Sequence, residues 1–200
     1  MLRRLPFTLM MAIGILLIAI LTGTTTSTLN PTLRQQWGFA LHDLWDGTWY
    51  SLVTEVLFTT DPIMLCGILI FVWLSIGIYE WRVGTRQAAL LYWLTDIGGS
   101  LILSLVLVLP LYLADTSLGI KLAYADDVGM SGGGFGCVGA WVHRLSYGKR
   151  KWVFINILGY LLVHLIFFTS IFDDSLHLFS YIAGFCLDQP LSHQKIHQHT

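Results

Sequence analysis

Gly129-Met130-Ser131-Gly132-Gly133-Gly134-Phe135-Gly136-Cys137-Val138-Gly139-Ala140 opens an apolar segment over residues 129–146. A serine enclosed by glycines at the mouth of a helix is an unusual composition. Glycines admit close backbone approach and permit an uncommon turn ahead of the helix. Gly132, Gly133, Gly136, Gly139 and Ala140 repeat small residues at helical spacing, which lets a neighbouring helix pack tightly. The stretch is a packing element of a helical bundle, and the expected fold class is all-α.

The rest of the chain is consistent with a bundle inside a bilayer. Of 200 residues, 55% are hydrophobic and only 12% charged, with a mean hydropathy of +0.68. A soluble domain of this size needs more charge to cover its surface, so a membrane protein is expected. The net charge of −1 implies no nucleic-acid partner. Cys66, Cys137 and Cys186 lie in apolar segments and read as small buried hydrophobes, with neither disulfide nor metal-ligand spacing.

Six apolar stretches, 5–22, 62–79, 88–113, 129–146, 152–170 and 175–190, each approach the length of a transmembrane helix. The third is long enough to tilt. The fourth and sixth are short, as for helices that begin below the bilayer surface. With the N-terminus inside, one face holds Arg3, Arg4, Arg82, Arg86, Arg144, Lys149, Arg150, Lys151 and Lys195, and the other only Arg34 and Lys121. The positive-inside rule puts both termini in the cytoplasm, in a plasma or inner membrane. Arg3 and Arg4 ahead of an apolar core resemble a signal peptide, but no clear small-x-small site follows, and the segment is expected to remain as the first helix.

Residues 23–61 form the longest loop, on the outer face. Trp37, Trp45, Trp49 and Tyr50 suit the membrane interface. Asp61-Pro62 reads as a carboxylate cap with proline in the first helical position. The chain is read as one domain over 1–200: a first helix at 5–22, the outer loop, five helices within 62–190 and a tail over 191–200.

Ser131 and His177 lie a few residues inside segments that start at the outer face, so their depths match. A serine hydroxyl becomes a good nucleophile when a neutral imidazole takes its proton. Backbone N–H groups at the start of the fourth helix, around Ser131 and Gly132, can stabilise an oxyanion. Ser180 and Gly184 follow His177 at i+3 and i+7 and can pack on the glycine face, beside Gly136. Phe135, at i+4 from Ser131, can stack on the imidazole. The pair suggests serine-protease chemistry within the membrane, with no metal or cofactor.

Gly129-Met130-Ser131-Gly132 together with His177-Leu178-Phe179-Ser180-Tyr181-Ile182-Ala183-Gly184 resembles the motifs of the rhomboid intramembrane serine proteases. Trp49, Thr54 and the run Glu80-Trp81-Arg82-Val83-Gly84 add to the likeness, which covers about residues 45–190. The resemblance implies a six-transmembrane-helix bundle and a Ser131–His177 dyad, supported by the backbone at Gly129 and Gly132. It implies an endopeptidase whose partners are single-span membrane proteins and the lipid bilayer.

Three positions depart from the family. Its second-helix His and Asn, which help form the oxyanion hole, are Met64 and Ile68 when counted back from Gly84, and no His or Asn occurs between 43 and 142. Its first-loop Arg is Ser51. The first glycine after its histidine is Ser180. Loss of one oxyanion donor lowers the rate by about 10²–10³, so weak activity is expected. The alternative is a non-catalytic rhomboid-like protein that binds transmembrane helices.

Asp96 in the third segment reads as a hydrogen bonder across helices, and His164 in the fifth as structural. Glu55 is expected to face the interface. His193, His197 and His199 read as a solvated tail. Gly132-Gly133-Gly134 is not a phosphate loop, since no Gly-Lys-Ser/Thr follows.

Overall fold

The computed structural model describes residues 5–167 and 170–193, with residues 189–193 described by backbone alone. Arg3, Arg4, Lys195, His197, His199 and the His193 side chain lie outside the described residues. Among the described residues the regular elements are helices, and an isolated antiparallel bridge joins Phe39 to Asp127.

The six apolar stretches coincide with α1 (Pro6–Thr22), α5 (Pro62–Val83), α6 (Thr85–Leu113), α8 (Ser131–His143), α9 (Tyr147–Phe167) and α10 (Ile171–His193). Three of these, α5, α6 and α9, are long and apolar enough to cross a membrane. Helix α1 is a shorter apolar helix of 17 residues, and α8 has 13. Helix α10 is not short: it runs 23 residues and takes Asp173 and Asp174 into its first turn. Carboxylates are favourable there, beside the unsatisfied N–H groups of a helix start.

The long loop is itself partly helical. It contains α2 (Pro31–Trp37), α3 (Asp43–Asp46), α4 (Ser51–Thr54) and a 3-10 turn at Glu55–Leu57. Trp45, Trp49 and Tyr50 are about half exposed. A further short helix, α7 (Ser117–Ala123), precedes the serine motif.

The Asp61-Pro62 signal forms the expected cap. Asp61 Oδ1 accepts from the Ile63 and Met64 N–H groups at 2.8 and 2.9 Å. Those bonds, the Met64 one foremost, hold the Asp61 carboxyl below the usual carboxylate range. Two of the long helices contain π-helical turns, Trp73–Gly77 in α5 and Ser104–Val108 in α6. The second lies just before Pro110, whose ring excludes the regular helical bond of the preceding turn.

Buried carboxylates tie helices together, Glu80 and Asp188 among them. Glu80 on α5 is fully buried and accepts from Phe7 N, Thr8 N and Thr8 Oγ1 at 3.0, 2.8 and 2.6 Å. It caps α1 from a neighbouring helix, satisfying N–H groups that have no partner within α1. Asp188 on α10 accepts the Tyr79 hydroxyl at 2.6 Å and pairs with Arg144 at 2.7 Å. Two expected burials are corrected: Cys66 and Cys186 are exposed on the bundle's outside, and only Cys137 is buried. Both lie on apolar helix exteriors, so an apolar setting did not require an interior one.

Candidate active site

Helix α8 lies between α6 and α10, and its glycines set the distances. A Cβ on Gly136 would overlap the Thr95 side chain of α6. One on Gly184 would overlap the Gly136 carbonyl, and one on Gly139 the Tyr181 carbonyl of α10. Backbone therefore meets backbone along α8 and α10, an approach that side chains would prevent.

That contact aligns the helices so that Ser131 and His177 meet. Ser131 is the first residue of α8 rather than a few residues inside it. His177 stands one and a half turns into α10. Ser131 Oγ and His177 Nε2 are 2.7 Å apart, and both residues are partly accessible. In the tautomer protonated at Nδ1, the hydroxyl donates to Nε2, the arrangement a general base requires. The Phe135 ring lies 4.8 Å from the imidazole, centroid to centroid, tilted by 39°. It restricts the ring as its position one turn after Ser131 suggested.

Gly129 makes the turn into this helix with φ of +129°, open to glycine and strained for other residues. Its N–H donates to the Glu55 carbonyl at 3.0 Å. A Cβ at Gly129 would meet Met64 Cε at 2.8 Å and Ile68 Cδ1 at 3.5 Å. Met64 and Ile68 thus border the serine turn, and neither side chain offers a hydrogen-bond donor. Donors at this mouth come from the backbone: the N–H groups of Ser131 and Gly132 occupy the first helical positions, where no intrahelical acceptor exists.

The next N–H, that of Gly133, is taken by Asp96. This carboxylate is 1% exposed and its Oδ1 accepts from Gly133 at 2.7 Å. It is the bond across helices expected of Asp96, and it acts as an N-terminal cap supplied by α6. A Cβ on Gly132 would approach Asp96 Oδ1 at 2.9 Å, so glycine there makes room for the carboxylate.

The Ser180 hydroxyl donates to the Thr95 carbonyl of α6 at 3.0 Å, a partner the helical spacing does not indicate. Glu55 is a correction. It does not face the interface but is 2% exposed, behind Gly129, with Oε2 unpartnered among the described residues. Burial first, and the Asp127 charge second, push its carboxyl well above the usual range. A peptide segment read as a loop end becomes interior because residues 126–129 fold over it.

His164 Nδ1 lies 2.7 Å from Asp174 Oδ1, linking α9 to α10. Asp174 precedes His177 by three residues, one turn away on the same face. This spacing is visible in the sequence, and the link to His164 is not. Among the described residues, no three His, Cys, Asp or Glu side chains gather to hold a metal. No protein-family model, curated protein or solved structure matches this chain.

Proposed function

We propose that this chain is an intramembrane serine endopeptidase of rhomboid type, a six-span bundle with both termini in the cytoplasm. The observation that carries the reading is the 2.7 Å contact between Ser131 Oγ and His177 Nε2, beside two backbone N–H groups at the start of α8. Ser131 Oγ attacks the scissile carbonyl as His177 takes its proton, and the oxyanion forms against the N–H groups of Ser131 and Gly132. Collapse breaks the C–N bond, and His177 returns the proton to the leaving amine. Water, deprotonated by His177, then releases the acyl group and restores the serine.

Met64 and Ile68 add no donors, so the backbone alone supports the oxyanion and turnover is slow. Substrates are single-span proteins. Unwinding a helix in lipid exposes unsatisfied backbone groups, so cleavage falls where Gly, Pro or polar residues already weaken it. Cleavage mapped to an uninterrupted apolar helix would count against that substrate class.

A second reading rests on those same side chains. With Met64 and Ile68 against Gly129, the fold serves as a non-catalytic binder of transmembrane helices. Fluorophosphonate labelling of the reconstituted protein separates the two. The protease reading expects labelling that is lost in both Ser131→Ala and His177→Ala. A folded wild-type protein that does not label would favour the binder.

A further inference from the structure

The far end of α9 from His164 borders a cavity of about 290 Å³. Its walls are Tyr147, Arg150, Lys151, Phe154 and Ile155 from the first turns of α9, and Phe185 from α10. Phe154 and Phe185 pack at 4.5 Å between ring centroids and form the apolar floor. Arg150 is held over the Tyr147 ring at 5.6 Å, and its Nη1 donates to the His143 carbonyl at 3.4 Å. Lys151 is exposed.

Among the described residues, no carboxylate lines the cavity. Asp188, three residues beyond Phe185 on α10, is already engaged by Arg144 at 2.7 Å and by the Tyr79 hydroxyl at 2.6 Å. Two cations therefore stand over an aromatic floor without an acidic partner in the wall. The location matters as much as the charge. Helix α9 is long and apolar enough to cross a membrane, and only 6% of its apolar window is buried. Its first turns thus lie where a bilayer gives way to water. Tyr147 and Trp152, 77% and 70% exposed, are residues suited to that boundary.

We propose that this cavity binds an anionic phospholipid. The lipid phosphate sits between the Arg150 guanidinium and the Lys151 ammonium, and the first part of an acyl chain lies along Phe154, Ile155 and Phe185. A guanidinium presents paired donors to phosphate oxygens, and an ammonium adds a point charge. The volume accommodates a headgroup and the chain's first carbons, with the remainder in the surrounding bilayer. Basic pockets between helices at a membrane surface bind anionic headgroups by the same combination. The inference depends on α9 spanning a membrane and is independent of any role for Ser131.

The test uses the full chain in nanodiscs of mixed phosphatidylglycerol and phosphatidylcholine. Lipid retained after release is read by native mass spectrometry. Phosphatidylglycerol should be retained in preference to phosphatidylcholine. Arg150→Gln and Lys151→Gln should each weaken that retention about fivefold, the effect of about 1 kcal/mol for a basic side chain near a membrane surface. Arg150→Lys should keep much of the preference. Lys149→Gln, on the same turn but outside the cavity wall, should leave it unchanged, and Ser131→Ala should too. Equal retention of both lipids overturns the proposal. So does a loss in Lys149→Gln as large as in Lys151→Gln, which would mean diffuse attraction rather than a site. Displacement of the lipid by inorganic phosphate would assign the pocket to free phosphate and also overturn it.

Discussion

Helices α8 and α9 are joined by a short turn yet belong to different mechanical worlds. Helix α8 touches α10 backbone to backbone and α6 through the Tyr92 and Thr95 side chains, and eight of its thirteen residues are buried. Helix α9 has one buried residue, Leu161, along twenty-one. Its side-chain ties to α10 include His164 with Asp174 at 2.7 Å and the Tyr181 hydroxyl donating to the Phe154 carbonyl at 3.4 Å. The lesson is that the Ser131–His177 pair is positioned by close backbone packing on one side, while the neighbouring α9 is attached through side chains, by these polar ties and by rings such as Phe154 against Tyr181 and Phe185. Local opening draws on regions with few buried contacts, and α9 is such a region.

The largest test of this contrast is Gly184→Val. A side chain there enters the space of the Gly136 carbonyl, so the helices must separate. Overpacking of this kind destabilises by about 3 kcal/mol. Thermal unfolding in detergent should show the loss, and serine labelling should vanish even at temperatures where the helices persist. Unchanged stability would mean the α8–α10 contact is slack.

Asp96→Ala comes next. It leaves the Gly133 N–H uncapped in an apolar interior, at about 1–2 kcal/mol. Asp96→Asn keeps an acceptor and should lose less. His164→Ala removes one tie of α9, and a partly exposed pair of this kind contributes about 1 kcal/mol or less. Hydrogen exchange should rise in α9 and stay flat in α8; a rise in both would dissolve the distinction. Val163→Ala, on the outward face of α9, should shift stability by less than about 0.5 kcal/mol.

Glu55 carries the contrast into pH. Its carboxyl is raised by burial, with Asp127 adding to the effect. A raised folded value stabilises below the unfolded one, ordinarily near 4.5, and the contribution is lost as pH rises through the folded value. Melting temperature should therefore fall from acid to alkaline conditions. Glu55→Gln should flatten that slope, because the amide does not ionise. A wild-type profile flat over the same range would remove Glu55 from the account.

Much of this arrangement is legible in the chain. The glycine spacing of 132, 136 and 139 marks the close face of α8, and Asp61-Pro62 marks the start of α5. Counting back from Gly84 finds Met64 and Ile68, the side chains that border Gly129. Ser180 was harder. Ser180 and Gly184 differ by about 40° around a helix, since each residue turns about 100°. That small angle sends Gly184 to α8 and Ser180 to Thr95. The start of α10 was hidden by Asp173 and Asp174, which lower local hydropathy while suiting a helix N-terminus. Glu55 was hidden for another reason: its burial comes from residues more than seventy positions away.

The π-helical turn at Trp73–Gly77 has a consequence for the whole of α5. It holds one residue more than an α-turn and so changes the phase of everything beyond it by about 100°. On one side of that change, Met64 and Ile68 reach Gly129; on the other, Tyr79 and Glu80 reach Asp188 and α1. Deleting a single residue within the turn would restore a regular helix and swing one of the two sets away from its partners. The extra residue acts as a fixed azimuthal offset, by which one rod addresses both the serine turn and the anchor of the first helix.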